Sequence, residues 1–448
     1  MDKHRVSGVA VGRLTAEEYS ANFSDIHPPL SAHEALVEAQ RCYFCHDAPC
    51  MTACPTSIDV PLFIRQIATG NPKGSAHTIF KQNIVGGMCA RVCPTETLCE
   101  EVCVRNDAEE KPVRIGLLQR YATDALMASG EQKFSRAAAT GKKVAVVGGG
   151  PAGLACAHRL SMYGHDVTIF EAKAKPGGLN EYGLAAYKTP GDFAQREIEY
   201  ILGIGGIEVR SGVWLGEDLS LDELADAHDA VFLGLGMGGV NELGLEGEEL
   251  DGVVDAIDYI ADLRQAPDKS KLPVGRRIVV IGGGMTAVDI AVQTKRLGAE
   301  EVSMVYRRGA EQLKASGYEQ ELAQTSGVQI RLWSAPVRIV GEGGKVTGVE
   351  FEYQNADNGG GSGGTGETFI LPADQVFKAI GQKFLPACIG DSGVALKGGR
   401  IEVDDERRAS VAKIWAGGDC VDGGEDLTVA SVEDGKLAAE SIHRSLTA

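Results

Sequence analysis

Eight of the chain's eleven cysteines fall between Cys42 and Cys103. They form two groups, Cys42-x2-Cys45-x4-Cys50-x3-Cys54-Pro55 and Cys89-x3-Cys93-Pro94-x4-Cys99-x3-Cys103. Closely spaced thiolates followed by Cys-Pro suit [4Fe–4S] binding, and in two-cluster ferredoxins the Cys before Pro serves the other cluster. Two rival chemistries use the same residues. Cys42-Tyr43-Phe44-Cys45-His46 fits the C-x-x-C-H attachment of c-type haem, which would leave six further cysteines unexplained. Four-cysteine zinc is the stronger rival, although no second C-x2-C pair is present to complete it.

A second set of chemistry-bearing residues is glycine-rich. Gly148-Gly149-Gly150-Pro151-Ala152-Gly153 follows an apolar run and opens a helical pattern. Glycines at 148, 150 and 153 allow a tight turn, close approach of a pyrophosphate and helix–strand packing, and the helix N-terminus receives phosphate charge. Glu171 lies 23 residues after Gly148 and ends a second apolar run. A carboxylate there accepts hydrogen bonds from a ribose diol. Pro176-Gly177-Gly178 follows. A second copy of the pattern reads Gly282-Gly283-Gly284-Met285-Thr286-Ala287, with Ala287 in place of the third glycine. Aligned with the first copy, Tyr306 stands where Glu171 stood, and Arg307-Arg308 follow. Loss of the acid and gain of two arginines favour NADP(H) over NAD(H), although arginines capping a strand end would read the same way.

These residues need elements to hold them. The repeat KVAVVGGGPAGLACAHRL against RIVVIGGGMTAVDIAVQT implies two strand–loop–helix units, hence two Rossmann-like nucleotide-binding domains. Strands are expected at Val144–Val147, Val167–Glu171, Val302–Tyr306, Val376–Ile380 and Ile414–Ala416, with a closing helix near Ser431–Leu446. Residues 1–140 read as a helical, cysteine-rich part, with helical apolar spacing over Val60–Thr69 and Val113–Leu126. Asn355–Thr368 is low in complexity and expected to be an exposed hairpin loop. The fold class is α/β. The expected division is 1–140 iron–sulfur, 141–255 with 373–448 FAD-binding, and 256–372 NAD(P)-binding.

Composition narrows the function classes. The formal net charge is −18, which disfavours nucleic acid and anionic membranes as partners. No window approaches the ~20 apolar residues of a membrane span. Met1–Leu14 lacks the apolar core of a signal peptide, so a cytoplasmic, reducing compartment is expected, where clustered cysteines bind metal rather than form disulfides.

The motif order resembles the flavoproteins with two dinucleotide sites typified by glutathione reductase and adrenodoxin reductase. That resemblance implies FAD at the first glycine loop. It implies a further flavin contact at Asp419 in Ile414-Trp415-Ala416-Gly417-Gly418-Asp419, and places Thr428-Val429-Ala430 by the flavin ring. With Arg41-Cys42 through Pro55-Thr56 and Cys89-Ala90-Arg91-Val92-Cys93-Pro94-Thr95-Glu96 added, nearly the whole chain resembles the electron-input half of dihydropyrimidine dehydrogenase, closest to the separate small subunit of bacterial enzymes. This resemblance implies that Cys42, Cys45, Cys50 and Cys103 hold one cluster. Cys54, Cys93, Cys99 and Gln119 would hold the other, leaving Cys89 as a spare thiol. On ligand strength alone Cys89 would be preferred to Gln119. The family commonly has arginine, near the flavin and a cluster, at the position of Lys188. Lysine keeps the charge but not the planar fork, so any tuning role is open.

Glutamate synthase small subunits share the architecture. They usually have a shorter second cysteine group and Gly where this chain has His46, which favours the pyrimidine enzyme. The expected reaction is hydride transfer from NAD(P)H to FAD, then single electrons through two clusters, with the chemistry borne by cofactors rather than by a catalytic side chain. No residues remain for a barrel of ~250 residues. Pyrimidine reduction would therefore fall to a partner subunit carrying FMN and further iron–sulfur clusters. A stand-alone NAD(P)H:ferredoxin-type reductase and a non-enzymatic cluster protein are the other readings. No C-x-x-C follows the flavin motif, which disfavours a thioredoxin reductase.

Overall fold

The computed structural model describes residues 6–356 and 362–448. The chain divides into two compact units. One comprises residues 27–181, 191–239 and 384–448, and the other comprises 1–26, 182–190 and 240–383.

In the first unit five parallel strands lie in the order Ile414–Ala416, Ala230–Leu233, Lys143–Val147, Asp166–Glu171, Ile207–Ser211. The central strand, Lys143–Val147, is buried along Val144–Val147, as an unbroken Val/Ala run covered on both faces should be. It leads through the first glycine loop into helix Pro151–Met162. Ahead of the sheet stand helices Ala32–Gln40, Val60–Ala68, Pro72–Gln82, Gly86–Val92 and Ile115–Ala128. Phe63, Ile64, Ile79, Phe80, Met88 and Leu118 are fully buried in that helical part and give the cysteine loops a firm floor. Asp59 and Asn71 cap two of these helices from their side chains, each with Pro at the helix start.

The second unit repeats the plan. Its parallel strands lie in the order Gln329–Arg331, Glu301–Val305, Arg277–Ile281, Gln375–Lys378, Val253–Asp255. A three-stranded antiparallel sheet, Ser334–Glu342, Lys345–Ala356 and Ser362–Pro372, completes it. The units divide at 239/240 and 383/384 rather than at 255/256 and 372/373, because Val253–Asp255 and Gln375–Lys378 hydrogen-bond into the second sheet. Residues 1–26 also belong to this unit rather than to the cysteine-bearing part, since Val9–Ala10 pairs with Val274–Gly275.

Strand ends shift by one or two residues from the sequence expectation. The helix expected over Val113–Leu126 runs Ile115–Ala128. The closing helix runs Thr428–Thr447, so Thr428, Val429 and Ala430 form its first turn. The low-complexity segment is mostly strand rather than loop. Ala356 pairs with Ser362, Asn355 with Gly363 and Gln354 with Gly364, because ladder bonds need only backbone. The tip, 357–361, lies outside the described residues.

Candidate functional site

Cys42, Cys45, Cys50 and Cys103 line one pocket together with Val60, Pro61, Ile64, Val113 and Ile115. Burial, then the charges of Cys42, Cys103 and Cys45, push the Cys50 thiol up to about 12. Cys42 is raised by burial and by Cys45 and Cys103, against an N–H bond from Phe44 to its Sγ at 3.4 Å. Four thiols lining one apolar pocket, two of them held from ionising, fit a group that supplies positive charge and takes thiolates. Among the described residues no three His, Cys, Asp or Glu side chains converge on a single ion position. Four thiols lining one pocket suit a cluster that takes four thiolates.

The second group gathers nearby. The Cys93 thiol is raised well above its usual value by burial, then by Cys89, Cys99 and Cys54. Cys99 is raised by burial, Glu100, Cys54 and Cys50, so the two groups act on each other. Gln119 is buried on helix Ile115–Ala128, and its Nε2 donates to the Gly86 carbonyl at 2.7 Å. Its amide oxygen is the atom left to act as ligand. Cys89 is buried too, and its Sγ accepts from Asn83 Nδ2 at 3.2 Å.

The first glycine loop is built by exclusion. Gly148 has φ +98°, and a Cβ there would lie 2.2 Å from the Gly234 carbonyl oxygen. A Cβ on Gly153 would lie 1.9 Å from the Gly148 oxygen. Gly150 has only the Gly178 Cα near it, at 3.7 Å. Helix Pro151–Met162 starts at Gly150 with Pro151 and Ala152 and no side-chain cap, leaving N–H groups free for phosphate. Glu171 is buried, which pushes its carboxyl up. It accepts from the Gly149 N–H at 2.8 Å and the Lys173 N–H at 2.8 Å. Asp419 is pushed up to about 6 by burial and Asp426, and accepts from Ser431 Oγ at 3.1 Å. Thr428 Oγ1 donates to Asn180 Oδ1 at 2.8 Å, ahead of the buried Val429 and half-buried Ala430, at a helix start with no side-chain cap. Loop, Glu171, Gly178, Asp419 and the 428–430 turn all belong to one unit.

The second loop belongs to the other unit. Gly282 has φ +149°, and its Cβ would lie 2.2 Å from the Ala379 oxygen. Gly284 has nothing within 4 Å on its Cβ side, and helix Met285–Arg296 again starts without a side-chain cap. Met285 and Thr286 are half-buried in its first turn, and Ala287 is fully buried at the third-glycine position. Ladder register settles the strand-end comparison. Val147 pairs with Phe170 and Ile281 with Val305, so Tyr306 is the counterpart of Glu171. The Tyr306 ring lies against Gly283, and its hydroxyl donates to the Gln312 carbonyl at 2.7 Å. Arg307 is exposed, whereas Arg308 Nε is buried with no hydrogen-bond partner among the described residues. The Lys314 and Ala315 N–H groups donate to the Gly283 oxygen and tie residues 314–315 to the loop.

Lys188 falls in this second unit, buried, with its ammonium 2.7 Å from Asp289 and 2.6 Å from Glu319. Burial alone would lower its pKa, but Asp289, Tyr187 and Glu319 outweigh it and hold the lysine charged. Asp289, Glu319 and Asn180 act through contacts more than a hundred positions away, and Asn83 through a contact outside any motif, so none of them is marked in the sequence. Among the described residues no helix is long and apolar enough to cross a membrane.

Residues 19–131 match the family model for dihydropyrimidine dehydrogenase domain II, 4Fe–4S cluster, and residues 142–435 match that for pyridine nucleotide-disulphide oxidoreductases. The chain belongs to this oxidoreductase family. It is 35% identical over 423 residues to an NAD-dependent dihydropyrimidine dehydrogenase subunit PreT homolog of Salmonella typhi, covering 94% of this chain and 97% of that protein. It is equally, 35%, identical over 444 residues to the glutamate synthase [NADPH] small chain of Escherichia coli K12, covering 94% and 93%. Among solved structures, T. acidophilum thioredoxin reductase superposes with TM-score 0.55 at 22% identity, over 68% of this chain and 99% of that one. Mycobacterium tuberculosis FprA in complex with NADPH gives 0.57 at 20%, over 68% and 84%. These two likenesses speak for the fold alone. The chain is thus an oxidoreductase that joins a [4Fe–4S] domain to a pyridine-nucleotide oxidoreductase domain.

Proposed function

We propose that the chain is the electron-input subunit of a dihydropyrimidine dehydrogenase, taking hydride from NAD(P)H and delivering single electrons to an FMN- and iron–sulfur-containing partner that reduces uracil or thymine. The observation that carries it is the cavity ringed by Cys42, Cys45, Cys50 and Cys103, in a chain that also holds two intact dinucleotide loops. Bound FAD would supply the conversion of a two-electron hydride into single electrons, which nicotinamide and clusters cannot exchange directly.

The chain's own residues do the holding. Gly148, Gly150 and Gly153 admit the FAD pyrophosphate to the N-terminus of helix Pro151–Met162, and Glu171 takes the ribose hydroxyls. Asp419 and the Thr428–Ala430 turn position the rest of the flavin. Gly282, Gly284 and the first turn of helix Met285–Arg296 take the nicotinamide dinucleotide, with Arg307 and Arg308 on a 2′-phosphate. Cys42, Cys45, Cys50 and Cys103 hold one cluster, and Cys54, Cys93, Cys99 and Gln119 the other. The Gln119–Gly86 bond supports Gln119, because it leaves the amide oxygen free.

The equal identity to a glutamate synthase small chain supports a second reading, with the same electron input and a different partner. Anaerobic affinity purification from the native host separates them. An FMN-bearing partner and NAD(P)H-dependent uracil reduction are expected. A large glutamine-using partner with glutamate formation would overturn the pyrimidine assignment.

A further inference from the structure

Among the described residues Glu197 is the most deeply buried carboxylate that no motif explains. It sits at 1% exposure on helix Phe193–Leu202. Its carboxylate accepts from the Gly87 N–H at 2.6 Å and the Met88 N–H at 3.2 Å, the opening turn of helix Gly86–Val92. That short helix carries Cys89 and ends at Cys93. The fit is close, since a Cβ on Gly87 would lie 2.6 Å from Glu197 Oε1 and 2.8 Å from Phe193 Cζ. Arg91, on the same helix, stacks on Phe193 with its guanidinium 3.4 Å from the ring centroid. Arg91 does not neutralise Glu197 by contact, because its Nη2 donates to Asp124 at 2.7 and 2.9 Å and its Nη1 to the Gly87 carbonyl at 2.9 Å. The same turn offers the Gly86 carbonyl to Gln119. One carboxylate thus fixes the turn against which Gln119 is oriented, and brings a negative charge that reaches the Cys89 sulfur.

We infer that Glu197 is a positioning and charge-setting residue for the Cys54–Cys93–Cys99–Gln119 cluster, lowering its reduction potential relative to that of the Cys42–Cys45–Cys50–Cys103 cluster. The inference rests on the cluster assignment proposed above. The physical basis is that a buried anion opposes the arrival of an electron nearby, and that low local dielectric preserves the effect. The charged groups facing Glu197 are Arg91 and Asp124, with Cys89 beside it. Burial holds its carboxyl up at about 8, so raising the pH from 7 to 9 favours its ionised form.

The test is an anaerobic redox titration of the holoprotein at pH 9, followed by low-temperature EPR. Wild type, Glu197→Gln and Glu197→Asp are compared. Glu197→Gln raises the midpoint of one cluster and leaves the other unchanged, and Glu197→Asp restores the wild-type value. Midpoints that do not move in Glu197→Gln overturn the inference. If Glu197→Gln fails to retain the cluster, the wild-type protein decides. Its second-cluster midpoint falls from pH 7 to pH 9 while the first stays level, and two level midpoints overturn the inference. Wild-type protein with no [4Fe–4S] signal would instead overturn the cluster assignment, and the inference with it.

Discussion

The first glycine loop ends its strand pair at Glu171, and at the register-equivalent point the second loop meets Tyr306. In the first, Gly148 and Gly153 are each pressed against a carbonyl oxygen and Glu171 is tied back to Gly149. The second is pressed in the same way at Gly282 but is looser at its third position. Ala287 replaces the third glycine without strain, and Arg307 and Arg308 follow the strand where the first copy has an acid. A tight loop suits a resident flavin held for the life of the protein. A looser, cationic one suits a dinucleotide that binds and leaves each turnover, and the cations suit a 2′-phosphate.

Substitutions can break this comparison. The largest effect is expected from Gly153→Ala, whose added methyl has nowhere to go. Flavin affinity should fall by at least roughly tenfold, about 1.4 kcal/mol, read from bound flavin absorbance, whereas Ala287→Gly should leave nicotinamide use nearly intact. Full flavin occupancy in Gly153→Ala would remove the distinction. Next, Arg307→Ala should lower kcat/KM for NADPH by roughly 10- to 100-fold, the worth of a charge-assisted contact, with little change for NADH. Equal losses with both nucleotides would sink the 2′-phosphate assignment. Glu171→Gln keeps one acceptor and loses the other, so FAD should bind about fivefold more weakly, near 1 kcal/mol. An unchanged dissociation constant would mean that Glu171 only braces the loop. The smallest effect on the fold belongs to Gly284→Ala, which should leave the melting temperature unchanged and raise KM for the nicotinamide several-fold. A lowered melting temperature with unchanged KM would reverse that assignment.

Much of this was legible from spacing. The internal repeat gave both Rossmann units because each loop must satisfy the same turn and phosphate geometry, and local geometry is written in local residues. The cysteine groups were legible for the same reason. Other features depend on contacts distant in sequence. Glu197 meets Gly87 across 110 positions, and Lys188 meets Glu319 across 131. Neither leaves a periodic trace. The unit boundaries moved for a related reason: Gln375–Lys378 is strand in any reading, and only its pairing with Arg277–Ile281 assigns it to the second unit. The glycine-rich segment at 355–368 misled because composition reports side chains, whereas the ladder that extends into it is made by backbone.

The central claim is that electrons enter at the second loop and leave through the cysteine groups. Anaerobic mixing of the purified holoprotein with one equivalent of NADPH, followed by freezing and EPR, tests it most directly. The account predicts bleaching of the flavin absorbance together with the signal of a reduced [4Fe–4S] cluster. Bleached flavin with no cluster signal, in protein whose clusters dithionite can reduce, would contradict it.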